Sequence, residues 1–274
     1  MTESVSALSM VLIAAAGLAG FAIPVALFIY FRKERHADIL PFFVGCGVML
    51  LFALILESAV HRVVLQSSAG SMIRQNVWLY ALYGGLMAGL FEETGRWIAF
   101  KTVLRKNQDR DVNALMYGAG HGGFEAAVVL GVTMIGNLVF AVLINSGNAA
   151  SLTSSLSGPA LTQMEGLLEG LKTMSPYTCL IEIIERIFAV TVQISLSVLV
   201  WFAAKDRNRL YLYPAAILIH FLVDGAAVVL TGFQVPSLAV EAVIGVMAVL
   251  SAAYAKRIWN QGRIESVLEN GDFM

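Results

Sequence analysis

Residues 77–100 read VWLYALYGGLMAGLFEETGRWIAF, a run long and apolar enough to cross a membrane as a helix. Glu92, Glu93 and Arg96 place three charges within about one turn of that helix. A charged side chain at the centre of a bilayer costs about 2.5–3.5 kcal/mol on insertion scales, and such residues usually face the interior of a helix bundle or a water-filled cavity. The stretch therefore predicts a membrane helix that carries a functional polar site.

The composition indicates an integral membrane protein for the chain as a whole. Of its 274 residues, 58% are hydrophobic and 14% are charged, whereas soluble domains contain about 25% charged residues. The formal net charge of −1 gives no overall attraction to nucleic acid, so no nucleic-acid partner is predicted. Cys46 and Cys179 lie in or beside apolar runs without CxxC spacing, which argues against a disulfide framework.

Apolar stretches with the length of a membrane span, about 20 residues, recur along the chain. The seven candidates lie at about 7–31, 39–60, 77–100, 112–145, 179–204, 210–231 and 238–255. They predict an all-α fold, a polytopic transmembrane helical bundle of about seven spans. No internal repeat is evident, so residues 1–274 are expected to form a single integral membrane domain. The expected location is the bacterial plasma membrane.

Basic residues indicate the orientation of the spans. They follow the first, third, fifth and seventh spans, at 32–35, 101–110, 205–209 and 256–263. The loops on the opposite side carry Arg62, Arg74 and Lys172. Because cytoplasmic loops are enriched in Lys and Arg, the first set is predicted to be cytoplasmic. The N-terminus is then outside and the C-terminus cytoplasmic.

The longest predicted outer loop spans residues 146–178. Its first part is rich in Ser, Gly and Asn, a composition typical of mobile loops. A set of apolar residues then follows at helical spacing, which predicts a short helix on the outer membrane surface: Leu161, Met164, Leu167, Leu168 and Leu171. This helix is either a packed surface element or a lid over a site.

Polar residues inside the spans recur at helical spacing. The pairs that lie four residues apart are His121 with Glu125, His220 with Asp224, and Glu57 with His61. Residues four apart share one helix face, so each pair points in one direction. Clusters with charges of both signs are Glu92, Glu93 and Arg96 in one span, and Glu182, Glu185 and Arg186 in another.

The depth of these residues separates them into two layers. Glu92, His121 and His220 each lie eight to ten residues from the predicted cytoplasmic end of their spans. At a rise of about 1.5 Å per residue, the three lie at nearly one level. Glu125 and Asp224 lie about one turn deeper. An outer layer is predicted for Glu57, His61, Glu182, Glu185 and Arg186.

The inner layer has the residue types needed to activate water. A carboxylate can act as a general base, and histidines can assist it or stabilise an oxyanion. Glu125 and Asp224 either orient the two histidines, which is the favoured interpretation, or take part directly in the chemistry. Arg96 is either a counter-ion to the Glu pair or a group that binds a substrate carboxylate. Glu185 and Arg186 are interpreted as supporting residues, paired within their span.

The motifs that contain these residues resemble a known protease group. EETGRW at 92–97, HGGFEA at 121–126, ERIFA at 185–189 and HFLVD at 220–224 are similar to motifs of the CAAX prenyl protease type II and bacteriocin-processing superfamily, and look most like its YhfC branch. The resemblance covers about half of the chain. It implies a glutamic-type intramembrane protease without an obligatory metal, although such proteins are also called metalloproteases.

The resemblance also implies individual roles. Glu92 corresponds to the base that activates the attacking water, with Glu93 supporting it or pairing with Arg96. His121 and His220 correspond to the histidines that help to activate water or form the oxyanion site, and Asp224 corresponds to the last polar position of the final motif. In a metal-dependent version, Glu92, His121 and His220 would be the ligands of a divalent metal such as zinc.

The leading functional hypothesis is therefore an intramembrane endopeptidase. Its partners would be the lipid bilayer and a membrane-associated peptide or protein substrate. No HExxH motif is present, and two histidines on separate spans have no local ligand spacing, so no metal cofactor is predicted. The alternatives are the metal-dependent protease and a proton- or ion-coupled transporter, because intramembrane carboxylates and histidines also form proton relays.

Overall fold

The structure, a computed structural model, describes residues 4–270, with side chains described for residues 4–262. The side chain of Arg263, which contributes to the predicted charge asymmetry, lies outside the described residues. Ten helices and no strand are present in the described part of the chain. The helices are α1 Ala7–Lys33, α2 Leu40–Gln66, α3 Ser68–Gln75, α4 Val77–Lys101, α5 Val112–Asn145, α6 Ala150–Thr153, α7 Gly158–Thr173, α8 Thr178–Lys205, α9 Leu212–Gly232 and α10 Ser237–Asn270.

The predicted all-α, polytopic membrane fold is confirmed. Six helices of the described chain, namely α1, α2, α5, α8, α9 and α10, are long and apolar enough to cross a membrane. They correspond to six of the seven predicted spans. The remaining span, 77–100, is present as the 25-residue helix α4, but its charged residues keep it outside this apolar set. That α4 crosses the membrane, like the orientation of the termini, stays a prediction.

Two of the long helices contain π-helical segments. Met49–Glu57 lies within α2, and Ala127–Val132 lies within α5. Such segments are rare in proteins overall, and those that do occur frequently lie at functional sites. Helix α2 also continues to Gln66, beyond the predicted end of its span at residue 60. Helix α7 is the surface helix predicted around 161–171, and Leu168 and Leu171 are its buried residues.

The chain divides into two compact units. The first comprises Met1–Ile23 and Ala126–Arg186, and its apolar core includes Ile13, Leu130 and Met134. The second comprises Pro24–Glu125 and Ile187–Met274. Its larger core is built on aromatic and aliphatic residues that include Phe100, Tyr117, Leu196, Leu199 and Trp201. The organisation of residues 1–274 as a single domain stays a prediction.

Glycines allow close approach of the helices that carry the polar residues. A Cβ atom on Gly85 would lie 2.7 Å from the carbonyl oxygen of Phe221, and one on Gly89 would lie 2.9 Å from that of Ile217. Helices α4 and α9 therefore pack with their backbones nearly in contact, as the GxxxG spacing of Gly85 and Gly89 favours. A Cβ atom on Gly122 of α5 would lie 2.8 Å from Cβ of Gln193 on α8. These contacts bring α4, α5, α8 and α9 to one polar centre.

A second polar group joins the loops at one end of the second unit. We call it the Asp38 cluster, formed by Asp38, Asn107, Arg110 and Asn113. The carboxylate of Asp38 accepts hydrogen bonds from Asn113 Nδ2 at 2.8 Å, Arg110 Nη1 at 2.9 Å and Asn107 Nδ2 at 3.2 Å. The hydrogen bond from Asn113, with further help from Asn107 and Arg110, lowers the pKa of Asp38 below its usual value. The cluster links the loop before α2 to the loop before α5.

Candidate active site among the membrane helices

Glu92 of α4 lies at the centre of a buried polar network, and its two oxygens have different surroundings. Oε2 lies 2.8 Å from Nε2 of His121 and accepts a hydrogen bond from Nε2 of Gln193 at 2.9 Å. Oε1 lies 4.0 Å from Nε2 of His220, which is too long for a direct hydrogen bond. One oxygen is thus anchored by α5 and α8, and the other faces α9.

Glu93 lies next to Glu92 in the chain but has different partners. It is completely buried and accepts two hydrogen bonds from Arg96 Nη1, at 2.7 and 2.8 Å. Its Oε1 also lies 2.8 Å from Nδ1 of His220. Adjacent helical residues point about 100° apart, which explains the separation of the two carboxylates. In this structure Arg96 is a counter-ion to Glu93.

Gln193 of α8 connects these groups, and the sequence analysis did not identify it. Its side-chain oxygen accepts a hydrogen bond from Nη2 of Arg96, and its amide nitrogen donates to Glu92 and, at 3.0 Å, to Glu125 of α5. An amide within the predicted span 179–204, two helical turns after Arg186, was the available signal. We refer to Glu92, Glu93, Arg96, His121, Gln193 and His220 as the Glu92 cluster.

The two histidines of the cluster occupy different positions. His121 is fully buried and stacks on Tyr117, with ring centroids 5.9 Å apart and an interplanar angle of 27°. Its Nδ1 has no hydrogen-bond partner among the described residues. His220 is held through Nδ1 by Glu93, while its Nε2 lies 3.5 Å from Oδ2 of Asp224. The side chain of Asp224 is 40% exposed, so the polar centre reaches the protein surface there.

Glutamate 57 lies closer to the cluster than the sequence analysis placed it. It is buried, interacts electrostatically with Glu92, His220 and Asp224, and lies 3.0 Å from Nε2 of His61. Its assignment to an outer layer is therefore wrong. Because α2 continues to Gln66, Glu57 lies well inside the helix and not near its end.

Nδ1 of His61 lies 2.9 Å from the hydroxyl of Tyr83, and the side chain of His61 is 30% exposed. The chain Glu57–His61–Tyr83 therefore runs from the polar centre towards the surface.

The remaining predicted residues divide between the two units. Glu125 and Asp224 belong to the second unit and contact Gln193 and His220 respectively. Glu125 therefore reaches Gln193, a partner that was not anticipated. Glu185 and Arg186 form an ion pair with each other and belong to the first unit. Their support of the site stays a prediction.

The donor types of the cluster suit a divalent metal, but their spacing does not. Imidazole and carboxylate groups are common zinc ligands, and the contact of His220 Nδ1 with Glu93 resembles the outer carboxylates that orient metal-bound histidines. However, the side chains of His121 and Glu92 are hydrogen-bonded to each other. Nδ1 of His121 also has no carboxylate partner in the described part of the chain that would orient a metal-bound ring. Among the described residues, no three His, Cys, Asp or Glu side chains are grouped as metal ligands. In this arrangement the residues do not fit a bound metal.

Comparisons with known proteins agree with the motifs and the fold. The model of a family described as YhfC intramembrane metalloprotease matches residues 19–248. The chain is also 34% identical over 261 residues to a protein of Bacillus subtilis strain 168 named "Uncharacterized membrane protein YhfC", with 93% of this chain and 99% of that protein covered. No solved structure matches.

The predicted relationship to the YhfC group is confirmed, and so is the prediction of an integral protein of a bacterial membrane. Because the family model covers most of the chain, the relationship extends over both compact units. The chain belongs to the YhfC intramembrane metalloprotease family.

Proposed function

We propose that this chain is an intramembrane endopeptidase in which Glu92 activates the attacking water. The observation that carries the proposal is the environment of the Glu92 carboxylate: one oxygen is anchored by His121 and Gln193, and the other faces His220 at 4.0 Å. A base must be held rigidly and must keep one oxygen available for a proton. Glu92 meets both conditions, whereas Glu93 is committed to Arg96.

The proposed reaction begins when Oε1 of Glu92 takes a proton from a water molecule whose oxygen attacks the carbonyl carbon of the substrate peptide bond. His220 in its imidazolium form, stabilised by the adjacent carboxylates of Glu93 and Asp224, donates a hydrogen bond from Nε2 to the oxyanion that develops. The proton on Glu92 then moves to the peptide nitrogen, and the C–N bond breaks. The products are a carboxylic acid and an amine, and Glu92 returns to its carboxylate form, ready for another water.

The substrate class follows from the place of the cluster in the molecule. Glu92 and its partners lie on helices α4, α5, α8 and α9, of which the last three are candidate membrane spans. A peptide bond that reaches them must lie within or beside the bilayer. We therefore propose membrane-associated peptides or proteins as the substrates.

The direct test is cleavage by the full-length protein in liposomes. A library of transmembrane peptides is incubated with the wild type and with Glu92→Gln, and products are identified by mass spectrometry. General-base catalysis contributes about 10²–10⁴-fold, so Glu92→Gln should lose cleavage by at least that lower factor. Glu165→Gln, which removes an exposed carboxylate on α7, serves as the matched control and should remain active. Full activity of Glu92→Gln with an unchanged thermal transition would refute the role of Glu92.

A metal-dependent version of the same protease is the second candidate, favoured by the family description and by the contact between Glu93 and His220. Its ligands would be Glu92, His121 and His220, which would have to leave their present contacts with one another to hold a metal. Elemental analysis of the purified protein distinguishes the two versions. Stoichiometric zinc that is lost in His220→Asn, with cleavage abolished by a chelator, would favour the metal version over the glutamic one.

The alternative function of a proton- or ion-coupled transporter can be tested with the same Glu92→Gln variant. The family relationship favours a protease, but the chain Glu57–His61–Tyr83 provides polar groups beside the cluster. Proton flux into liposomes that contain the wild type, with loss of flux in Glu92→Gln and no peptide cleavage by either protein, would favour transport.

A further inference from the structure

An apolar groove of about 660 Å³ lies on the second unit, apart from the Glu92 cluster. Its walls come from the end of α1, the start of α5, the middle of α8 and the middle of α10. Leu115, Ile194, Val198 and Ala252 are among the apolar residues that line it. The groove is partly open to its surroundings, as a site for a molecule that enters from the bilayer requires.

The hydroxyls of Thr191 and Ser195, which line the groove, are already hydrogen-bonded within their own helix. The hydroxyl of Thr191 donates to the carbonyl oxygen of Ile187 at 2.8 Å, and that of Ser195 donates to the carbonyl oxygen of Thr191 at 2.7 Å. A side chain whose hydroxyl is bonded to its own helix in this way presents mainly carbon atoms to a molecule in the groove. The long walls of the groove therefore suit a hydrocarbon chain.

One end of the groove is basic. Arg35 and Lys256 line it there, and both side chains are exposed. Nε of Arg35 donates to the hydroxyl of Tyr30 at 3.1 Å, which holds the guanidinium beside the groove. Neither Arg35 nor Lys256 forms an ion pair with a carboxylate of the described residues, so both positive charges are available to a ligand. Trp259, which also lines the groove, is a residue type enriched at membrane–water interfaces.

The basic end and the apolar walls are arranged in the same order as the head group and the acyl chains of a membrane lipid. Arg35 lies just after the end of α1, on the side that the distribution of Lys and Arg predicts to be cytoplasmic. Thr191 lies fourteen residues before the end of α8 at Lys205, or about 21 Å into the helix at the standard rise. The groove thus runs from a cationic rim towards the middle of the bilayer.

We propose that this groove binds one anionic phospholipid, with an acyl chain along Ile194 and Val198 and the phosphate between Arg35 and Lys256. Basic pockets between membrane helices on the cytoplasmic side are suited to anionic head groups. An uncharged lipid would leave both cations without a partner, and a soluble anion would leave the apolar walls empty. The proposal does not depend on the proposed protease activity.

The test compares two double variants with the same loss of charge. Arg35→Gln/Lys256→Gln changes the lining residues, and Lys33→Gln/Arg257→Gln changes exposed basic neighbours that do not line the groove. Lipid that remains bound to each detergent-purified full-length protein is measured by native mass spectrometry after addition of phosphatidylglycerol or phosphatidylcholine. We expect the wild type and the Lys33/Arg257 variant to prefer phosphatidylglycerol by about tenfold. The Arg35/Lys256 variant should show no preference.

A second variant tests the apolar part of the groove. Ala252→Phe fills the groove without changing charge and should reduce binding of both lipids, as long as its thermal transition matches that of the wild type. An equal loss of preference in both double variants would show general surface attraction and overturn the proposal. A dimer that Ala252→Phe disrupts and that phosphatidylglycerol does not would assign the groove to a second copy of the chain, which also overturns it.

Discussion

The Glu92 cluster and the Asp38 cluster use the same chemical groups in different surroundings. Each contains carboxylate, arginine and side-chain amide groups of the second unit that are hydrogen-bonded to one another. The side chains of Glu93 and Arg96 are fully buried, whereas those of Asp38 and Arg110 are 31% and 41% exposed. Removal of one partner from a buried ion pair strongly lowers the stability of the fold, because the other charge is left buried and unpaired. An exposed pair contributes only about 0–1 kcal/mol to that stability. The comparison teaches that burial, and not the kind of group, separates the proposed catalytic centre from a tie between loops.

The largest difference between the clusters should be in activity. His220→Asn removes the imidazole that faces Glu92. His36→Asn removes an imidazole beside the Asp38 cluster, where the backbone oxygen of His36 accepts a hydrogen bond from Arg110. Because His220 is proposed to stabilise the oxyanion, its replacement should lower the rate of peptide cleavage by about 10²–10³-fold. His36→Asn should cleave at the wild-type rate. Equal rates for the two variants would remove the functional distinction between the clusters.

The next effect should be on the free energy of unfolding. Arg96→Met leaves the buried Glu93 carboxylate without its counter-ion and should destabilise the protein by about 3–5 kcal/mol. Arg110→Met, the same change in the exposed cluster, should cost about 1 kcal/mol or less. Equilibrium unfolding in mixed micelles, followed by tryptophan fluorescence, measures both. Adding Glu93→Gln to Arg96→Met should recover part of the loss, and no recovery would argue that Arg96 acts mainly through packing.

Gln193 offers a comparison between amides of the two clusters. Gln193→Leu removes hydrogen bonds to Glu92, Glu125 and Arg96 and leaves buried groups unsatisfied, so a loss of about 1–3 kcal/mol is expected. Asn107→Leu should cost less, because it removes one hydrogen bond of 3.2 Å to Asp38, whose side chain is 31% exposed, so water can replace that bond. The same unfolding assay gives both values. Because Gln193 positions Glu92, its variant should also lower the turnover rate more than it raises KM.

The smallest effect should be the pH dependence of the Asp38 cluster. Hydrogen bonding to Asn113 lowers the pKa of Asp38 in the folded protein, so its charged form stabilises the fold above the pKa of an unfolded aspartate, about 3.9. That contribution is lost as the pH falls from about 4 through the lower folded pKa. Asp38→Asn should therefore be less stable than the wild type at pH 7, and the difference should shrink below pH 4. A difference that stays constant across this range would contradict the role of the carboxylate charge.

Several features of the fold and of the candidate site could be predicted from local pattern. Spans are visible because about twenty consecutive apolar residues are needed to cross a bilayer, and their recurrence predicts an all-α membrane protein. His121 and His220 stand out because an ionisable residue inside a membrane span is costly and usually has a functional role. The helical period also predicts that Glu92 and Glu93 differ in direction. These inferences need no knowledge of how the helices pack.

Depth along the spans was a weaker guide. Counting from span ends placed Glu57 in an outer layer, but α2 extends to Gln66 and contains a π-helical segment that ends at Glu57. Hydropathy reports where apolar composition stops, and a helix can continue past that point as a polar turn. Gln193 escaped for a related reason, since a single amide in an apolar run has no sequence pattern that identifies its partners.

The amino-acid sequence by itself determined the membrane class, the apolar helices, the family and the set of titratable groups within the predicted spans. Only the tertiary structure decided which oxygen of Glu92 meets His121 and which faces His220, that Arg96 pairs with Glu93, and that Gln193 joins them. The physical reason is that helix formation depends on neighbours within about one turn. The partners of a side chain depend instead on the rotation and close approach of separate helices, which glycines such as Gly89 and Gly122 permit.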